Sequence, residues 1–392
     1  MTHLFSDDTR RNPYPLYAQM RAGHPVLHVP PPFDLYLVFD YDGVKRVLSD
    51  HDTFSSAVPA PREWFIFWDP PRHTKRRALI AKAFTPRMII NLEPRIRELS
   101  RQFLDRVIAR GEMDLANDYA VPLPMTVISE MIGIPSADWE RFKRWSDTIL
   151  KLSYTMRGVE ADPAAAGAME GFVAVTQEMR VYLADLTAQR RAAPRDDLLT
   201  GLVNAEVDGE RLTPEEILGF MQLLIVGGQE TTTNLIDNAI LCLLEHPDQL
   251  ALLRSRPEML PSAIEEVLRY RSPLQWTMRT PRREIELHGV ALRPGKLVLP
   301  LVGSANRDAA HFDRPDAFDI TRDPNPHLAF GHGIHFCLGA PLARLEARVA
   351  LTDLLTRLGD FRRADTEPWE PRKALNVLGP TRLPIRFGEG LL

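Results

Sequence analysis

Apolar residues recur at helical spacing along most of the chain. The clearest case is Ile96, Leu99, Phe103, Leu104, Val107 and Ile108, an apolar stripe set among Arg, Glu and Asp, which predicts an amphipathic helix with one face turned to a core. Strand-like alternation is confined to Val26 to Phe39, Ile285 to Val302 and Leu375 to Phe387. Each is rich in Val, Leu, Ile or aromatic residues and bounded by Pro or Gly. The pattern predicts a mainly α protein with small β-sheets, an α+β fold. Prolines sit mostly in turns, as in Pro59-Ala60-Pro61 and Pro324-Asn325-Pro326, and no repeat or low-complexity segment breaks the chain. A single domain over residues 1–392 is the simplest expectation. Arg157 to Ala168, with Asp162-Pro163 and several Ala and Gly, reads as a mobile connection between two helices and a candidate lid.

One predicted helix breaks its own rules. Thr213-Pro214-Glu215-Glu216 supplies an N-cap, a proline at the first helical position and an acid at the third, and the stop comes only at Glu245-His246-Pro247. The interval spans about 32 residues, or roughly 48 Å of helix at 1.5 Å per residue. Its middle, Val226-Gly227-Gly228-Gln229-Glu230-Thr231-Thr232-Thr233, combines two glycines with three β-branched threonines, all weak helix formers. Such local inconsistency in a buried element points to function. The missing side chains at Gly227 and Gly228 clear one face for a flat ligand, and Glu230-Thr231 return to it about one turn later.

Composition narrows the classes. The 392 residues carry a net charge of −4 with both signs well mixed, so the basic stripe of a nucleic-acid binder is missing. Met1 to Pro15 lacks the apolar run of a signal peptide or membrane anchor, and a soluble, cytoplasmic protein is expected. The two cysteines cannot build a disulfide framework, and neither C-x-x-C nor a strand-linked G-x-G-x-x-G occurs. Without a flavin or nicotinamide domain of its own, the chain must take redox equivalents from another protein.

Cys242, in Leu241-Cys242-Leu243-Leu244, reads as a small buried hydrophobe. Cys337 does not. It lies in Phe330-Gly331-His332-Gly333-Ile334-His335-Phe336-Cys337-Leu338-Gly339, where the glycines allow tight turns and close approach to a flat ligand. The following Ala340 to Arg348 reads as a helix whose positive end favours a thiolate. A loop of this form, F-x-x-G-x-[HR]-x-C-x-G, resembles the haem-binding signature of the cytochromes P450, the haem-thiolate monooxygenases. Gly227 to Thr231 likewise resembles that family's distal-helix motif, [AG]-G-x-[DE]-T. The resemblance implies the cytochrome P450 fold: a single triangular-prism-like domain with haem b between a long distal helix and a proximal helix. It implies Cys337 as the axial metal ligand, with Phe330, Gly339 and Gly227 bordering the cofactor, and Glu230 and Thr231 as the catalytic proton-delivery pair.

Further motifs extend the resemblance from about residue 10 to the C-terminus. Glu266-Val267-Leu268-Arg269 matches E-x-x-R, a weak signal by itself, since Glu98-Leu99-Ser100-Arg101 matches too and reads as ordinary helix surface. With the sequel through Asn306-Arg307-Asp308 to Arg322, it implies a buried ion triad of Glu266, Arg269 and Arg322. His73-Thr74-Lys75-Arg76-Arg77 resembles the family's H-x-x-x-R helix, so His73 and Arg77, with Arg279 and His335, are implied to bind the haem propionates. Trp64-Phe65-Ile66-Phe67-Trp68 is unusually aromatic for a loop. Core packing explains some of these rings, and in relatives this loop walls the substrate pocket, so at least one ring is expected to face a ligand. By position the pocket residues are Phe65, Phe67, Leu223, Val226, Gly227, Leu274, Gln275, Thr277 and Leu378, largely apolar as ligand sites are.

The resemblance implies a monooxygenase that inserts one oxygen atom from O2 into an apolar small molecule, by hydroxylation or epoxidation. Electrons would come from NAD(P)H through a ferredoxin and a ferredoxin reductase, and the enzyme is expected to act as a monomer. Lys75, Arg76, Arg344 and Arg348 are candidates for a basic patch that docks an acidic ferredoxin, or for ordinary solvated helix faces. A peroxide-using member of the fold would tend to lack the acid and threonine retained here. A non-catalytic haem protein that senses gas or binds a ligand remains the alternative of a different class.

Overall fold

The computed structural model describes residues 6–57, 63–153 and 163–389. The chain forms two compact units, Met1–Phe54 with Glu93–Pro124 and Glu230–Leu392, and Ser55–Leu92 with Met125–Gln229.

The first unit holds most of the β structure. Val26–Val29 and Leu35–Val38 form an antiparallel hairpin in register Val26↔Val38 and Val29↔Leu35, and Val298–Pro300 adds in parallel to the second strand. The run expected over Val26 to Phe39 is split because Pro30, Pro31 and Pro32 cannot donate to a ladder. Ile285–Leu287 and Val290–Leu292 pair across His288 and Gly289, both at positive φ, the backbone that a two-residue hairpin turn requires. Buried Val26, Tyr36, Val38, Val44, Val47, Leu292, Val298 and Val302 share one core cluster. The strand expected over Leu375 to Phe387 is ordered as strand only from Pro384, where Pro384–Glu389 pairs with Leu358–Arg363 and Glu112–Asp114. Before that, Gly379, Pro380 and isolated bridges such as Leu274↔Val377 hold an irregular path.

The stripe beginning at Ile96 builds the helix Glu93–Asp105, which buries Ile96, Leu99, Phe103 and Leu104 against the helix Ala340–Arg357. Each such buried side chain contributes about 1.5–3 kcal/mol. The helix ends before the stripe does: Val107 precedes a 3₁₀ turn, Ile108–Arg110, closed by Gly111 at φ 66°.

The second unit is mostly helical. Arg72–Ala83, Trp139–Ser153, Pro163–Ala192, Leu198–Asn204 and Pro214–Leu224 pack on one another. Arg190 and Asp197 form a buried pair beside Gly133, whose carbonyl accepts from Arg190 Nη2 at 2.9 Å. Of the candidate lid, residues 157–162 lie outside the described residues, and 163–168 begin the helix Pro163–Ala192 instead of continuing a connection.

Candidate functional site

The capping box expected at Thr213 is present. Glu216 N donates to Thr213 Oγ1 at 3.2 Å, and Thr213 N donates to Glu216 Oε2 at 3.0 Å. The helix does not run uniformly to Glu245. Pro214–Leu224 passes into a π-helical stretch, Ile225–Glu230, before α-helix resumes over Thr231–Glu245. A widened turn of this kind displaces side chains at functional positions. The two glycines within it act differently. A Cβ at Gly228 would stand 2.7 Å from Ile128 Cδ1, so this glycine admits Ile128, whereas nothing lies within 4 Å of a Cβ at Gly227. Gly227 alone leaves the ground clear that both glycines were expected to clear.

Exposure follows the same line. Gly227 is exposed and Leu223, Leu224, Val226, Gly228 and Thr231 are half-buried, while every residue from Thr232 to Leu243 is buried. The helix thus opens around Gly227 and is enclosed beyond Thr231. Beside Thr231, Glu230 is only 7% exposed. Burial pushes its carboxyl up to about 7, with the charge of Arg372 opposing the rise. An acid poised near neutrality next to a hydroxyl suits proton transfer at working pH.

The cysteine loop has the backbone its glycines predict. Gly331 and Gly333 adopt φ 76° and 73°, a region unfavourable for other residues. A Cβ on Gly333 would also meet Ser49 Cα at 2.9 Å, so the loop packs closely on the helix Tyr41–Ser49. Cys337 N donates to Phe330 O at 2.9 Å, and the helix Ala340–Arg357 starts three residues beyond the sulfur. Cys337 is exposed and its neighbour Phe336 is 42% exposed. The guanidinium of Arg344 lies 4.5 Å over the Phe330 ring and interacts with the sulfur. A helix N-terminus and a cation together favour the thiolate.

The triad residues meet. Arg269 Nε and Nη2 each donate to Glu266 at 2.8 Å, and Arg322 Nε donates to both Glu266 oxygens at 3.3 and 3.2 Å. Glu266 and Arg269 have no exposure. At the look-alike motif, Glu98 and Arg101 are exposed, and Glu98 pairs with Arg95 instead.

His73 and Arg77 share one face of the helix Arg72–Ala83, His73 buried and Arg77 half-buried. In the other unit Arg279 is buried at the Val298 bridge, and His335 is half-buried in the cysteine loop. The basic patch is not a set of uncompensated charges. Lys75 pairs with Glu210, Arg76 with Glu210 and Glu216, Arg344 with Glu265, and Arg348 with Glu93, at 2.6 to 2.8 Å.

Among the pocket candidates, Phe65 is a core residue, stacked on His73 and tilted against Phe220, each at a centroid distance of 6.0 Å. Phe67 is half-buried and stacks on Trp64, whose Nε1 donates to Gln222 Oε1 at 3.1 Å. Leu223 and Val226 are half-buried. In the first unit Leu274, Gln275 and Leu378 come together: Gln275 N donates to Asn376 O at 2.8 Å and Leu378 N to Pro273 O at 2.9 Å. Gln275 and Leu378 are buried, and Thr277 is half-buried.

Asp237 and Glu346 are among the buried acids that escape the sequence reading. Burial raises them to about 7 and about 8. The available signal is position, because each falls among apolar residues on the buried face of its helix.

Within their own units, the exposed sulfur at a helix N-terminus, the near-neutral Glu230 beside Thr231, and the basic side chains His73, Arg77, Arg279 and His335 are the residue types that an anionic, metal-bearing group requires. A model of the family described as Cytochrome P450 matches residues 16–375. Cytochrome P450 109 of Bacillus spizizenii is 40% identical over 99% of this chain and 95% of its own length. The solved structure of CYP109Q5 from Chondromyces apiculatus superposes with a TM-score of 0.89 at 39% identity, covering 98% of this chain and 97% of that one. CYP109E1 from Bacillus megaterium, solved in complex with corticosterone, also gives 0.89 at 39% identity, over 97% and 99% of the two chains. The chain belongs to the cytochrome P450 family, whose cofactor is haem, and it is a monooxygenase with the family's mainly helical fold.

Proposed function

We propose that this enzyme inserts one oxygen atom of O2 into an apolar small molecule, by hydroxylation or epoxidation, with electrons from NAD(P)H delivered through a ferredoxin and its reductase. The whole chain, 1–392, acts as one catalytic domain. The observation that carries the reading is the buried, near-neutral Glu230 beside Thr231 at the opening of an otherwise enclosed helix.

In this reading Cys337 is the thiolate ligand of haem b, Phe330, Gly339 and Gly227 border the ring, and His73, Arg77, Arg279 and His335 bind its propionates by charge-assisted hydrogen bonds. Bound haem supplies the iron at which dioxygen is activated. Glu230 holds a proton near neutral pH and passes it outward through the Thr231 hydroxyl. Glu266, Arg269 and Arg322 hold the cysteine side of the fold rigid. Phe67, Leu223, Val226, Leu274 and Thr277 are the better-exposed members of the pocket set and turn toward substrate, while Phe65, Gln275 and Leu378 support them from behind. Corticosterone, bound by the solved relative, represents the apolar class to test first.

Thr231→Ala and Glu230→Gln test the assignment whatever the substrate. Each is expected to raise hydrogen peroxide released per NADPH consumed well above the parent's, because losing a general acid slows the protonation it serves by about 10²–10⁴-fold. Coupling equal to that of the parent enzyme contradicts the roles given to them.

A further inference from the structure

The helix Thr231–Glu245 carries a second buried acid that the reaction described so far does not use. Asp237 has no exposure, and among the described residues neither carboxylate oxygen has a hydrogen-bond partner. The cation beside it is Arg372, whose Nη2 lies 3.5 Å from Asp237 Oδ2. Glu230, Asn234 and Asp237 stand at i, i+4 and i+7, on one helix face, with the two acids roughly 10 Å apart along the axis.

Arg372 lies along that face. Its Nε donates to Asn234 Oδ1 at 3.2 Å, its Nη2 faces Asp237, and its charge also acts on Glu230. Its side chain is 16% exposed, whereas Asn234 and Asp237 are fully enclosed, so Arg372 is the end of the strip that meets solvent. The backbone holds it there. Arg372 N donates to Gly379 O at 3.0 Å, its carbonyl accepts from Arg10 Nη2, and Gly379 is glycine because a Cβ would collide with Asn234 Oδ1. The other charge acting on Asp237 is Asp114, which disfavours its ionised form. Asp114 is itself engaged by Leu383 N at 2.9 Å and Arg382 Nε at 3.2 Å.

One guanidinium between two buried carboxyls allows only one of them to be ionised at low cost. The strip therefore keeps a proton, and the two acids titrate as a coupled pair. Among the described residues Asn234 Nδ2 and both Asp237 oxygens have no hydrogen-bond partner, the condition under which buried polar groups bridge through ordered water. Asn234 stands between the two acids.

We propose that Asp237, Asn234 and Arg372 form a proton-supply strip for Glu230. Asp237 takes up a proton from solvent beside Arg372 and passes it, through water held at Asn234, to the Glu230 carboxylate after that residue has released its own. As the proton moves, Glu230 becomes neutral, Asp237 becomes ionised, and Arg372 shifts its pairing from the first to the second. Solvent then returns a proton to Asp237. Asp237 is a positioning residue, acting through Glu230, and the inference rests on the role given to Glu230 above.

The test is infrared difference spectroscopy of protonated carboxyl bands in the ferric, haem-loaded full-length protein, titrated from about pH 5 to pH 9, in the parent and in Asp237→Asn, Arg372→Gln and Glu230→Gln. Asp237→Asn hands Arg372 wholly to Glu230, so the remaining Glu230 band should titrate about one pH unit lower, and in Arg372→Gln both bands should titrate about one unit higher. The solvent isotope effect on NADPH-driven oxygen consumption should rise about twofold in Asp237→Asn and return in Asp237→Glu. Asp237→Ser serves if the asparagine variant does not fold. A Glu230 titration and isotope effect both unchanged in Asp237→Asn overturn the strip, whatever the change in stability, because they leave Asp237 a purely structural role. Glu230→Gln separates the two failures. If it keeps the parent isotope effect, the Glu230 assignment falls and the strip with it; if it alters the effect while Asp237→Asn does not, the strip falls alone.

Discussion

Glu266→Gln removes one charge from a site with no solvent to replace it. The carboxylate accepts from Arg269 Nε and Nη2 at 2.8 Å, from Arg322 Nε at 3.2 and 3.3 Å, from Asp319 N at 2.9 Å and from Asn325 Nδ2 at 3.2 Å. Glutamine keeps the volume but leaves two guanidinium groups without a counter-charge, and its amide turns donors toward donors. Breaking a buried pair in this way costs about 3–5 kcal/mol. At a urea dependence of about 3 kcal/mol/M, the unfolding midpoint falls by roughly 1–1.7 M. Glu98→Gln, in the same E-x-x-R motif but exposed, should cost no more than about 0.5 kcal/mol. Urea unfolding followed by tryptophan fluorescence, with both variants and the parent in parallel, reads the contrast directly. Adding Arg322→Gln to Glu266→Gln should recover part of the loss, because it removes one stranded charge. A Glu266→Gln midpoint indistinguishable from that of Glu98→Gln refutes the reasoning.

Three further outcomes follow from the geometry. Gly219→Ala should destabilise by about 2–3 kcal/mol or more, since its Cβ would meet Glu63 O; urea midpoints check this. Gly227→Ala should leave the fold as stable as the parent or up to about 1 kcal/mol more stable, yet change the haem absorbance on titration with a panel of apolar compounds, because its Cβ enters open ground. Glu346, Asp237 and Glu230 are all raised by burial, so their stabilising contribution is full below their unfolded values near 4 and is lost as pH rises through about 7 to 8. The parent should therefore lose stability between pH 5 and pH 9, and Glu346→Gln should flatten that loss; an equally steep decline in the variant counts against it.

Features that depend on neighbours in sequence were legible in the chain. Thr213 and Glu216 cap one helix end through side chains three residues apart, and Gly331 and Gly333 declare a turn that other residues resist. The glycine and threonine run marked the distal helix as anomalous, but whether it would bend, break or widen to a π-helix depends on packing such as that of Ile128 on Gly228. Asp237 and Glu346 carry only a positional signal in the sequence, their apolar neighbours on the helix, while the partner that defines Asp237, Arg372, reaches it from a distant loop. The aromatic loop was ambiguous for a related reason. Only the contacts of Phe65 with Phe220 and His73 make it core, while the sequence alone fits a pocket wall equally well. Lys75, Arg76, Arg344 and Arg348 fitted a docking patch and ordinary solvated helix faces equally well, because the carboxylates that pair with them sit on other elements.

Whether Cys337 supplies the thiolate to haem is read from the absorbance spectrum of the reduced, carbon monoxide-bound protein. The parent and Cys242→Ser should both give the thiolate-type spectrum, and Cys337→Ser should lose it while keeping the helical circular dichroism of the fold. A thiolate-type spectrum that survives Cys337→Ser, or a parent protein that takes up no haem, contradicts the account.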